Sequence, residues 1–156
     1  MAVNYFLKLD GIPGESQDPS HVGQIGVLSW SWGMSRAAPT GTTNPKPNVS
    51  EFSIFKDVDL ASAPLMRACL GGTVIKSGLF VGAKVGSDFP NSPFLQMNFQ
   101  QLRVTSVQDS GSSEVPSESV SFSFGIVTFT YTPTDQAGTP GMPKTYTYNI
   151  GQNKLT

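Results

Sequence analysis

The chain has 156 residues and a mass of 16.6 kDa, which fits one domain with a hydrophobic core of its own and gives no reason to look for two. Ten basic residues stand against eleven acidic ones, a net charge of −1 with 13% of positions charged, so no electrostatic footprint for nucleic acid or an anionic membrane is present. One histidine, His21, and one cysteine, Cys69, exclude an internal disulfide and a His-pair metal site, so no metal or organic cofactor is expected.

Val3, Tyr5, Leu7 and Leu9 share one parity and Asn4, Lys8 and Asp10 the other, the period-two signature of a half-buried strand. The same opening lacks a basic region followed by an apolar core, so no signal peptide is expected. No stretch approaches the roughly 18 apolar residues of a membrane span. After the turn-rich stretch 11–23, Leu28, Trp30, Trp32 and Met34 alternate with Ser29, Ser31, Gly33 and Ser35, a strand with a heavy aromatic face. Ile25 and Val27 lie on the opposite parity, which predicts a bulge near Val27 and Leu28. Residues 36–50 contain Pro39, Pro45 and Pro47 with no periodicity and read as a long loop, a feature usually functional or mobile in a compact domain.

Phe52, Ile54 and Lys56 mark a third strand. The segment from Asp59 to Leu70 then carries helix signals: apolar Leu65, Met66, Cys69 and Leu70, Asp59 or Ser62 as a cap, Pro64 in the first turn and Gly71-Gly72 as a stop. Ile75, Leu79, Val81, Ala83 and Val85 form a fourth strand. Leu95, Met97 and Phe99 are in phase but Leu102 and Val104 have switched, which predicts a bend around Gln100 and Gln101. Val120, Phe122, Phe124 and Ile126 hand over to Val127, Phe129 and Tyr131, with Gly125 at a join suited to a residue without Cβ. Tyr146, Tyr148 and Ile150 close the chain, and 110–117 and 132–143 read as hairpin connections. Strands that change phase midway are what a sheet needs when it bends into two layers or closes. The expected fold is therefore mainly β, a small antiparallel β-barrel or two-layer sheet with one short α-helix at its side, in a single domain over 1–156.

Catalytic chemistry is thin. His21 reads as structural and Cys69 as an inert thiol on the helix. Gly78 to Val85 has neither the spacing nor the hydroxyl residue of a phosphate loop. Carboxylates are scattered; Asp57 with Asp59 and Glu114 with Glu118 are the closest spacings, and each reads as a strand edge, cap or turn. No enzyme is expected. Trp30 and Trp32, two apart on one face, read as core or interface; the alternative is a sugar-stacking platform on a monomeric β-sandwich binding module.

Three blocks carry a resemblance. The string from Gly14 to Ser35, with Glu15, Asp18, His21, Gly23 and Leu28-Ser29-Trp30-Ser31-Trp32-Gly33, closely resembles the opening motif of the Hcp (haemolysin-coregulated protein) family, the tube proteins of type VI secretion systems. Phe55-Lys56-Asp57-Val58-Asp59 through Pro64 to Gly71 is similar to that family's strand-to-helix segment, and Val115 to Phe124 with Tyr131-Thr132-Pro133 to its late strand pair. The resemblance implies a small β-barrel with one helix that assembles into a homohexameric ring, with rings stacking into a tube inside a contractile sheath. It also implies effector proteins carried in the lumen, a spike protein at the tube tip, and export from the bacterial cytoplasm without a signal peptide. The loop at about 36–50 departs from the family pattern. On a ring-forming barrel it is the candidate ring-stacking element, with Arg36, Thr40, Thr42, Asn44, Lys46 and Asn48 as its polar contacts.

Overall fold

Alternating segments become strands, and the places where alternation breaks become bends. In the computed structural model, which describes residues 2–85, 93–135 and 138–156, the strands are β1 (Val3–Leu9), β2 (Ile25–Val27), β3 (Ser29–Ser31), β4 (Met34–Ser35), β5 (Asn48–Val49) and β6 (Phe52–Asp57). After α1 (Ser62–Gly71) come β7 (Val74–Lys84), β8 (Leu95–Ser110), β9 (Ser117–Ser123), β10 (Ile126–Tyr131), β11 (Lys144–Asn149) and β12 (Lys154–Leu155). The pairings between these strands are antiparallel. One arm of the main sheet runs β12-β11-β10-β8-β7-β1-β2, and the other leaves β8 through β9 and β6 to β3. The arms meet in one piece of chain: Ile25 to Val27 pairs β1, and Ser29 to Ser31 pairs β6. Leu28 breaks the ladder between them, so the sheet curls back on itself without a continuous hydrogen-bonded closure. This break is the predicted bulge, and it turns the Leu28 side chain outward.

The 16-residue β8 can serve both arms because it bends. Gln101 adopts φ +57°, the left-handed region that costs an L-residue roughly 1–2 kcal/mol, and this advances the strand by one residue. Phe99 and Leu102 therefore both point into the core. Gly125 sits against this bend: a Cβ there would lie 2.7 Å from Gln101 Oε1, and its amide donates to the Gln100 carbonyl at 3.0 Å. The phase change read between Phe99 and Leu102 and the glycine at the β9–β10 join are thus two sides of one corner. A second register shift follows between Val104 and Ser106 opposite β9.

The core is a chain of rings. Phe52 lies 5.0 Å from Phe80 and 4.9 Å from Phe99, Phe99 lies 4.8 Å from Phe124, and Trp30 closes on Phe80 at 5.3 Å. Phe80 corrects the expected pattern of the fourth strand, because it is fully buried while Leu79 is only half-buried. Phe6 and Val81, a cross-strand pair, face the other way and are buried as well. For Phe6 the reason is a cover on the outer face, where His21 stacks on it at 4.2 Å, held by Asp18 at 3.1 Å. The only histidine is structural, and the hydrogen bond it shares with Asp18 holds that carboxyl below its usual range.

The helix also departs from expectation. Its N-cap position is Ala61, and neither Asp59 nor Ser62 caps it. Instead Asp59 Oδ1 accepts from the Ala61 amide at 2.9 Å and Ser62 Oγ accepts from the Asp59 amide at 2.9 Å, bracing the turn ahead of the first helical residue. The inward face is Ser62, Leu65 and Ala68, with Leu70 89% exposed. Gly72 ends the helix at φ +63° with its amide bonded to the Ala68 carbonyl, the left-handed stop that Gly71-Gly72 predicted.

Candidate functional site: a hairpin arm, its groove and a buried ion pair

The segment read as a loop at 36–50 has a structured base. Asn48 pairs with Ser35 and Val49 with Met34, so β4 and β5 turn the excursion into an arm that doubles back on itself. Its reach is therefore about half the roughly 40 Å of an extended 13-residue chain. At the tip Thr40 bridges Thr43, with Gly41 at φ +61° supplying the left-handed turn residue. Of the expected contact residues, Arg36 Nη1 donates to Asn44 Oδ1 at 3.4 Å across the arm, Asn48 lies in β5, and Thr40 makes the bridge. All six, including Thr42 and Lys46, are exposed along the arm.

Beneath the arm lies an apolar groove of about 370 Å³, with Trp32, Met34, Pro47 and Val49 on one wall and Tyr146 and Tyr148 on the other. On that first wall Trp32 is fixed by its Nε1–H, which donates to the Ser50 carbonyl at 3.1 Å, and its ring lies 6.2 Å from Phe124. Burial pushes the Tyr146 phenol up. Trp30 goes elsewhere, packed among Tyr5, Phe52 and Phe80, so the two tryptophans do not form one open platform. Since Trp32 is only half-buried, Trp32→Ala should cost about 2 kcal/mol, below the 3–5 kcal/mol of a fully buried aromatic. Chemical denaturation of the two proteins measures this loss.

A charged group sits where the sequence showed only a strand residue. Lys56 falls on the inward parity of β6 with Phe52 and Ile54, and its side chain is fully buried. Its Nζ lies 2.5 Å from Glu118 Oε1 and 2.7 Å from Asp59 Oδ1, and donates to the Asp57 carbonyl at 3.1 Å. Ser62 Oγ donates to Glu118 Oε1 at 2.8 Å, so the first residue of the helix is tied to β6 and β9. Glu118, expected at an edge or turn, is 1% exposed. Burial pushes its carboxyl up, but Lys56 and Ser62 on Oε1, with the Asp109 carboxyl beside it on the next strand, outweigh burial and hold it below the ordinary 4.5. The one available signal was the parity of Lys56, which shares a face with Phe52 and Ile54. Among the described residues no cluster of three His, Cys, Asp or Glu side chains could hold a metal ion.

The fold as a whole has counterparts among known proteins. Residues 6–131 match the family described as type VI secretion system effector, Hcp. The chain belongs to the Hcp family. It is 33% identical over 160 residues to Protein hcp1 of Pseudomonas aeruginosa, with 98% of each chain covered. The crystal structure of Hcp1 from Salmonella typhimurium superposes with a TM-score of 0.84 at 32% identity, covering 100% of both chains. A solved structure described as a type six secretion system protein gives a TM-score of 0.89 at 27% identity over 99% of this chain and 100% of that one. The Hcp match includes the Gly14–Ser35 and Phe55–Gly71 blocks and the late strand-pair block as far as Tyr131, and leaves the C-terminal β11 and β12 outside its range.

Proposed function

We propose that the protein is a structural subunit of the type VI secretion inner tube, forming homohexameric rings that stack and carry effector proteins in the lumen, with no catalysis of its own. The observation that carries this reading is the family match, supported by end-to-end similarity to Hcp proteins. The surface supports it physically. Leu70 is 89% and Met142 82% exposed, with Leu60, Val115 and Leu155 also open to solvent, and such apolar side chains on a low-charge chain are suited to contacts between identical subunits. The remaining partners would be the spike at the tube tip, the sheath around it and the cargo, with no nucleic acid and no membrane insertion. Export would proceed from the cytoplasm without a signal peptide. Among the described residues no helix is long and apolar enough to cross a membrane.

Within that reading, the arm closed by β4 and β5 is the ring-on-ring contact, presenting Arg36, Thr40, Thr42, Asn44, Lys46 and Asn48. Size exclusion with light scattering should give a species of six 16.6 kDa chains, about 100 kDa. A monodisperse monomer at tens of micromolar would overturn the ring. Replacing Ala38 to Lys46 with a short Gly-Ser link keeps the β4–β5 base, and should leave hexamers intact while impairing tube assembly and secretion. Unchanged tubes and secretion would remove the arm from that role.

A further inference from the structure

Three adjacent strands set three charged residues in one row: Lys56 on β6 is directly opposite Glu118 on β9, and Glu118 is directly opposite Asp109 on β8. The two oxygens of the central carboxylate are treated differently. Oε1 is engaged by Lys56 and Ser62, whereas Oε2 is buried and accepts no hydrogen bond. Asp109, exposed near the end of β8, is the neighbour on the open side of the row. Two full negative charges side by side would repel, and a buried acceptor without a donor carries its desolvation cost unrelieved. One proton removes both penalties, because a protonated Asp109 becomes a donor to Glu118 Oε2.

We propose that Asp109 and Glu118 form a proton-binding pair that latches the tip of the β8–β9 hairpin: the proton resides on Asp109, is donated to Glu118 Oε2, and on leaving loosens the tip. The other groups around the pair are Lys56 from β6, Asp59 from the turn before α1 and Ser62 from α1, and all three engage from the Lys56 side. The charges acting on Asp109 are those of Glu118 and Lys56. The hydrogen bond to Glu118 that only the protonated form can donate, then desolvation and the Glu118 charge, raise the Asp109 carboxyl above its ordinary 3.8, against a smaller opposing pull from Lys56. The tip in turn touches the lead into α1, since the Val58 amide donates to the Pro116 carbonyl at 3.0 Å. Loss of the proton is thereby felt at the helix as well as at the hairpin.

The two members of the pair work in opposite directions. The raised Asp109 contributes stability while protonated and loses it as pH rises through its folded value. The lowered Glu118 contributes stability above the ordinary glutamate value and loses it as pH falls through its own. The latch is closed where Asp109 holds its proton and Glu118 has lost its own. Asp109→Asn supplies a permanent neutral donor at an exposed position, and Asp109→Ala removes charge and donor together. Melting temperatures from about pH 4 to pH 8 should show Asp109→Asn gaining several degrees on the wild type as pH rises, with Asp109→Ala falling below both at the acidic end. The Asp109 carboxyl carbon should titrate by NMR clearly above 3.8, and exchange of the 110–117 amides, corrected for intrinsic rate, should slow several-fold on acidification. An Asp109 that titrates at 3.8, or a wild-type to Asp109→Asn difference that stays constant with pH, would overturn the latch whatever the assembly state.

Discussion

Lys56→Met should unfold at markedly lower denaturant than the wild type, with a loss of about 3–5 kcal/mol at neutral pH, because it leaves Glu118 charged and buried with its cation gone. The pH dependence separates this cause from lost packing. In the wild type the Glu118 carboxyl is held below 4.5, so its contribution is present at neutral pH and is lost as pH falls through its folded value. In the variant the cation that held it down is absent and burial is opposed by the remaining Ser62 hydrogen bond without the Lys56 charge, so its value moves up and protonation relieves the penalty. The deficit of Lys56→Met should therefore shrink as pH is lowered toward about 5, where a cavity effect would stay constant. The double variant Lys56→Met/Glu118→Leu should recover much of the single loss, since an apolar pair of similar volume can replace a buried ion pair. Equal losses for the single and the double variant would show that packing, and not the unpaired charge, sets the cost.

Gly14→Val should cost about 3 kcal/mol or more and lower the melting temperature accordingly. A Cβ at residue 14 would lie 2.5 Å from the Gln24 carbonyl oxygen and 2.6 Å from Ile25 Cα, and these are backbone atoms that no rotamer change can move aside. The close approach exists because the Gly14 amide donates to the Gly23 carbonyl at 2.8 Å and the Ser16 amide to the Gln24 carbonyl at 2.9 Å, tying both ends of the covering loop together. That loop carries His21 onto Phe6, so the variant should also expose the outer face of β1. A melt unchanged by Gly14→Val would mean that the loop relaxes without loss.

Strand identity and the positions of bends were legible because they are local. Period-two alternation is a property of neighbouring residues, and each phase change, at Val27–Leu28, between Phe99 and Leu102 and at Gly125, marks a point where the chain must rotate to keep apolar side chains inward. The helix stop was legible for the same reason, since Gly72 alone supplies the left-handed residue the last turn needs. The three motif blocks carried the family. What stayed hidden depends on partners distant in sequence. Phe6 is buried because a loop from residues 14–24 folds over it, which its own alternation could not register.

The candidate site divides along the same line. The position of the arm was visible in its prolines and lack of period, but its hairpin base rests on two-residue strands too short to leave a pattern. Glu118 looked like a turn carboxylate because nothing nearby in sequence neutralises it; its cation is 62 positions earlier and arrives only when β6 pairs β9. By itself the sequence determined the β class, the single helix, the corners of the sheet and the family. Only the tertiary structure decided which lysine and glutamate could be taken out of water, because burying a charge is tolerable only where folding brings its counter-charge within hydrogen-bonding distance.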